Sequence, residues 1–119
     1  QIVAGTHGAC VRLIGGGVKC WGYNPQGQLG LGDNDNRGDE PGEMGDALPT
    51  VDLGGGQTPA SLSLAYLSAT CAVLGDGSVK CFGANLLGQL GQGDKLSRGD
   101  EPGEMGDALP RVRLFSDTW

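Results

Sequence analysis

Apolar residues in this chain fall in short runs, and the runs recur. Cys10, Val11 and Leu13 are followed, after glycines 15–17, by Val18, Cys20 and Trp21; far downstream, Cys71, Val73 and Leu74 are followed, after Gly75, Asp76 and Gly77, by Val79, Cys81 and Phe82. Runs of this length with β-branched and aromatic residues, broken by glycine or Asp-Gly, predict β-hairpins. A three-residue loop at 75–77 sets Val73 opposite Val79 and Cys71 opposite Cys81, and the same arithmetic sets Cys10 opposite Cys20. Further short strands are predicted for TVDL at 50–53 and RVRL at 111–114, each with valine and leucine two apart on one face. A longer one is predicted for TPASLSLAYL at 58–67, where serines alternate with Leu62 and Leu64. One helical turn fits Pro41, Glu43, Met44 and Leu48, with Met44 and Leu48 on one face, before Pro49 stops it. Nothing demands a long helix, so the chain reads as all-β.

The runs recur because the chain is a duplication. RGDEPGEMGDALP at 37–49 returns without a change at 98–110, an offset of 61 residues that also superposes all four cysteines, Asn24 on Asn85 and Gln28 on Gln89. The units read as 1–61 and 62–119. Over 10–36 only 14 of 27 positions match their partners, so the constant block is more than a trace of recent duplication. We expect it to be where units meet: Arg37, Asp39, Met44 and Leu48, with Arg98, Asp100, Met105 and Leu109, form the contact block. Met44 and Leu48 are its expected buried anchors and Arg37 its loop clamp. Two units in 119 residues bury enough surface only by sharing a core. The 24 glycines recur with the period, as in turn-rich repeats.

Charge narrows the partners. Eight basic against fourteen acidic residues give a net charge of −6, opposite to what phosphate backbones require, so nucleic acid is not an expected partner. No run of about 18 apolar residues exists, and membrane insertion is not expected. The chain opens on strand-like residues without a signal peptide, as a mature or excised piece of something longer would.

Candidate chemistry is sparse. The facing cysteines lead us to expect two bridges, Cys10–Cys20 and Cys71–Cys81; free buried thiols and a shared metal site with His7 are the competing readings, and the spacing is a poor match to structural zinc. His7 is the one histidine, has Ser68 as its counterpart, and has no nameable orienting partner, so no catalytic residues are assigned and no enzyme or cofactor is expected. Asp33, Asp35 and Asp39 form a weak calcium candidate: Arg37 occupies a ligand place and Met44 stands where a bidentate glutamate belongs, which makes a solvated turn the expectation. Arg37-Gly38-Asp39 and Arg98-Gly99-Asp100 resemble the integrin-recognition tripeptide, but the arginine is expected to tie down its own loop. No N-x-[ST] sequon occurs.

CVRLIGGGVKCWGYNPQGQLGLGD at 10–33 and CAVLGDGSVKCFGANLLGQLGQGD at 71–94 closely resemble the repeat of the regulator of chromosome condensation family. The hairpin, Trp21-Gly22 or Phe82-Gly83, Asn24 or Asn85, and Gly-Gln-Leu-Gly at 27–30 or 88–91 carry the resemblance. It implies tandem, propeller-blade-like antiparallel sheets of four strands. Two blades do not make a closed propeller, which needs roughly four to eight. The constant block lengthens the unit beyond the usual repeat, as insertions do in secreted, cysteine-containing members. Gln1 falls within the strand that corresponds to residues from Leu62 onward, and Trp119 stops short of where that strand would recur, so the ends read as complementary. The expected function is an extracellular structural or interaction module that stacks head to tail into a filament or ring, or belongs to a longer repeat protein. Its partners would be copies of itself or neighbouring units. A ligand-binding propeller segment, lectin-like or protein-binding, is the alternative. The family's chromatin functions are not carried over, because acidic charge and paired cysteines oppose them.

Overall fold

Each unit folds as a three-stranded antiparallel meander. In the first, β1 (Ile2–Ala4), β2 (Gly8–Arg12) and β3 (Val18–Gly22) form a sheet in that order; in the second, β4 (Pro59–Leu64), β5 (Ala69–Leu74) and β6 (Val79–Gly83) do the same. The computed structural model describes residues 1–5, 8–55, 57–64 and 68–114. His7, the tail of the strand expected over 58–67, and the chain's last five residues lie outside them.

The predicted hairpins are present in the predicted register. Val73 faces Val79 and Cys71 faces Cys81 across β5 and β6, and Cys10 faces Cys20 across β2 and β3. Both facing pairs are disulfides, with Cα atoms 4.1 Å apart and no cysteine left free. The amide of Leu74 donates to Ser78 O at 2.8 Å, closing the three-residue loop; Leu13 and Gly17 do the same at 2.7 Å. The first apolar run divides where Gly5 donates to Gly8 O, which turns β1 back onto β2.

The outer strand departs from expectation. TVDL and RVRL are not strands, and among the described residues neither sheet has a continuous fourth member. The edge of β3 is instead met at its two ends, by an isolated bridge between Gly22 and Arg37 and by the Val51 amide on Val18 O at 2.8 Å. Gly83 with Arg98, and Val112 with Val79, repeat this in the second unit. Val18 and Gly22 are four residues apart while Arg37 and Val51 are fourteen apart. Continuous pairing cannot absorb that difference, so residues 38–50 loop out of the fourth-strand position.

The helical turn expected at 41–48 shrinks to a 3₁₀ turn, Gly45–Ala47, repeated as Gly106–Ala108. Gly45 has φ +71°, a left-handed conformation that interrupts any helix, and Met44 and Leu48 flank the turn with extended backbone. The two side chains therefore do not share a face: Leu48 is 3 % exposed and Met44 44 %. One core spans both units, joining Cys10, Leu29 and Leu53 of the first to Leu62, Phe82 and Leu109 of the second.

Candidate interaction site at the junction of the units

Each constant block is held by a pair of polar clasps. Asn24 is fully buried; its Nδ2 donates to Asp33 O, Asp35 O and Asp33 Oδ1 at 2.9–3.1 Å, while its Oδ1 accepts from the Leu29 amide. Leu29 is thereby dropped into the core, and Asn85 places Leu90 in the same way. Arg37 closes the loop on Asp33 (2.8 Å) and on Asp35 O (2.9 Å), and Arg98 closes its own on Asp94 (3.0 Å). Hydrogen bonding from these guanidinium groups holds the Asp33 and Asp94 carboxyls below the usual aspartate range. Arg37 thus sits where a loop clamp was expected. The second clasp was not foreseen: Glu43 accepts from the amides of Gly38 and Glu40, and Glu104 from those of Gly99, Asp100 and Glu101. An acidic residue six places after each clamping arginine was the available signal.

The calcium candidate does not assemble as spaced. Asp33 is taken by Arg37 and Asn24, whereas Asp39, Glu40 and Glu43 bring their carboxylates together, as do Asp100, Glu101 and Glu104.

The second unit's block is covered by the first unit. Gly32 donates to Gly99 O (2.9 Å), Thr70 Oγ1 to Gln28 O (2.8 Å) and Gly106 to Asp52 O (2.8 Å). Backbones approach so closely that a Cβ at Gly99 would lie 2.6 Å from Gly27 O, and one at Gly30 would lie 2.8 Å from the Phe82 ring. Lys80, only 5 % exposed, spans the junction by donating to Leu53 O (2.9 Å) and Gly106 O (3.0 Å), and its burial lowers its pKa. Asp107 accepts from the Gly55 amide at 3.0 Å. Burial, together with the neighbouring Asp100 carboxyl, raises the Glu104 carboxyl.

The first unit's block carries the same residues without that cover. Gly38 is exposed, and a Cβ there would meet Met44 Sδ at 3.3 Å and the Trp21 side chain; at Gly45 it would meet nothing. Among the described residues Lys19 makes one bond, to Gly45 O at 2.9 Å, in the open. A groove of about 290 Å³ runs beside Trp21, Tyr23, Arg37 and Gly38. Met44 is therefore no buried anchor in this unit, while Met105 packs against the shared core. At the other end, the second unit's loop is bare: Gly91 and Gly93 are exposed, as are Leu86 and Leu87.

No family model matches the chain. The E3 ubiquitin-protein ligase MYCBP2 of Danio rerio is 35 % identical over 92 residues, which make up 77 % of this chain and 2 % of that protein. Human WBSCR16 superposes with a TM-score of 0.63 at 21 % identity, over 98 % of this chain and 25 % of that one. A chain in the crystal structure of Kap60 bound to yeast RCC1 (Prp20) superposes with a TM-score of 0.58 at 19 % identity, over 76 % of this chain and 19 % of that one. The two units share the fold of regulator of chromosome condensation-type repeats. Each is a three-stranded, blade-like sheet whose fourth-strand position is opened by the constant block, and the pair spans a quarter or less of the length of these three proteins. No helix among the described residues is long and apolar enough to cross a membrane.

Proposed function

We propose that this pair of repeats is a non-catalytic, extracellular interaction module that stacks head to tail, as copies forming a filament or ring or as part of a longer repeat protein. The observation that carries it is the constant block, covered by a neighbouring unit at 98–110 and bare at 37–49. Repeats that bury their faces against neighbours leave terminal faces that need a cap or a partner. The complex of yeast RCC1 with Kap60 supports an interaction role for the fold. Two disulfides in a chain of this size favour an oxidising, extracellular setting. Electron microscopy and sedimentation of the oxidised protein test the stacking: rings or filaments are expected, and particles of single-chain mass at all concentrations would sink it. Alkylation without reductant tests the setting, since protein purified from its native source should take up no label.

The lectin-like alternative has one observation in its favour, a polar groove of about 460 Å³ lined by Asn34, Asp35, Asn36, Arg37, Asp39, Glu40 and Glu43. Glycan-array binding lost on Asp39→Ala would favour it over stacking.

A further inference from the structure

We infer that the groove beside Trp21 receives the 88–93 loop of a second copy of this chain, in the register already realised between the two units. This rests on the head-to-tail reading and names its surfaces. Shifting each junction contact by one period pairs a residue near the end of one copy with a residue near the start of the next. Gly32 on Gly99 becomes Gly93 on Gly38, and Gly30 against Phe82 and Met105 becomes Gly91 against Trp21 and Met44. The glycines of the closest backbone approach are retained, Gly88, Gly91 and Gly93 for Gly27, Gly30 and Gly32 and Gly38 for Gly99, whereas Phe115 stands in the place of Gly54, whose own approach is to Asp107 and Lys80.

Three hydrogen bonds carry over. The Gly93 amide donates to Gly38 O, the Gly45 amide to Arg113 O, and Lys19 adds Leu114 O to the Gly45 carbonyl it already holds. Lys19 thereby gains the two-carbonyl arrangement of Lys80.

The substitutions at the seam set its strength. Ala9 stands in place of Thr70, so the hydroxyl bond to the glutamine carbonyl is lost, and Gln92 replaces the partly buried Leu31. Both changes weaken the copy-to-copy junction relative to the internal one. One change favours it: Arg113 replaces Asp52, whose carboxylate lies against Gly106 next to Asp107, while Asp46 keeps the place of Asp107. Opposite charges then face each other across the seam. The association is heterologous, so each docking leaves the same two surfaces free at the ends.

Sedimentation velocity of the full oxidised chain over rising concentration, combined with hydrogen exchange, tests the register. The sedimentation coefficient should rise with concentration, with new protection confined to 37–46 and 88–93. Met44→Glu changes a side chain that is already 44 % exposed, and it should abolish both effects while leaving the circular dichroism unchanged. Asp46→Arg should weaken association about tenfold, and adding Arg113→Asp should restore it. Self-association with protection elsewhere, indifferent to Met44→Glu and to the charge exchange, overturns this register and leaves the stacking reading standing. A chain that stays single up to millimolar concentration overturns both.

Discussion

Residues 37–49 and 98–110 are one sequence in two surroundings, and their backbones barely differ. Met44 and Met105 have φ of −101° and −97°, Leu48 and Leu109 −79° and −78°, and Gly38 and Gly99 +94° and +95°. The covered copy and the bare copy have taken the same shape, so the shape is set within the block, by the arginine and glutamate clasps and the left-handed glycines. What differs is burial: Gly99 and Gly106 are buried where Gly38 and Gly45 are exposed. The neighbour selects a preformed surface; it does not mould one. Preorganisation of this kind lowers the ordering cost of association.

The contrast can be broken first at positions it says are alike. Leu48 and Leu109 are both buried within their blocks, at 3 % and 1 % exposure, so alanine at either should cost about 2–5 kcal/mol, nearly equally. Urea unfolding measures this, and a much smaller loss at Leu48 would mean that the bare block is less well packed than its twin.

Sharper discrimination comes from glycine. Alanine at Gly38 meets a left-handed backbone penalty of about 1–2 kcal/mol and a tight contact with the flexible Met44 Sδ, whereas at Gly99 the same penalty and the matching Met105 contact are joined by overlap with the backbone Gly27 O, for a total of about 2–4 kcal/mol. The difference between these two variants in thermal unfolding reports the junction alone; equal losses would show that the overlap relaxes at no cost.

Lysine gives a smaller contrast. Lys80→Met leaves two junction carbonyls without their buried donor and should cost about 1–3 kcal/mol, while Lys19→Met on the exposed side should stay within about 0.5 kcal/mol. Chemical denaturation of the two variants side by side checks this.

Protons give the smallest. The Glu104 carboxyl is raised, chiefly by burial, so its proton stabilises the fold below the ordinary glutamate value of 4.5, and that contribution fades as pH rises through the raised pKa. Asp33 and Asp94 act in the opposite sense: their ionised forms stabilise above the ordinary value of 3.8, and this is lost as pH falls through their lowered pKa values. Glu104→Gln keeps the accepting oxygen but removes the proton, so the gain in melting temperature on acidification from neutral toward the ordinary glutamate range should shrink, with the fall in stronger acid retained. An unchanged profile would remove Glu104 from the junction's response to pH.

Much of this was legible in the chain because it depends on residues close in sequence. A three-residue loop fixes which residues face each other across a hairpin, and hence the Cys10–Cys20 and Cys71–Cys81 pairs. A fixed period with glycines at fixed offsets fixes the repeat. Leu29 and Leu90 between glycines reach the core because Asn24 and Asn85 gather the loops around them. Arg37 finds Asp33 four residues away.

Other features were decided by tertiary structure. Valine and leucine two apart made TVDL look like a strand, yet a strand exists only where a partner edge offers continuous pairing, and the excess chain in the block removes that at β3. Met44 and Leu48, four apart, would share a helical face, but the left-handed Gly45 separates them, a local effect that is the same in the covered and the bare copy. Identical blocks cannot announce which of them will be covered, because cover comes from a loop some seventy residues earlier, at 27–32. By itself the sequence determined the repeat, the hairpins, the bridges and the shape of the block, all products of short-range sterics and hydrogen bonding. Only the tertiary structure decided which copy is buried, that Lys80 spans two carbonyls while Lys19 holds one, and that the fourth strand stays open, because each of these depends on a surface supplied from elsewhere in the chain.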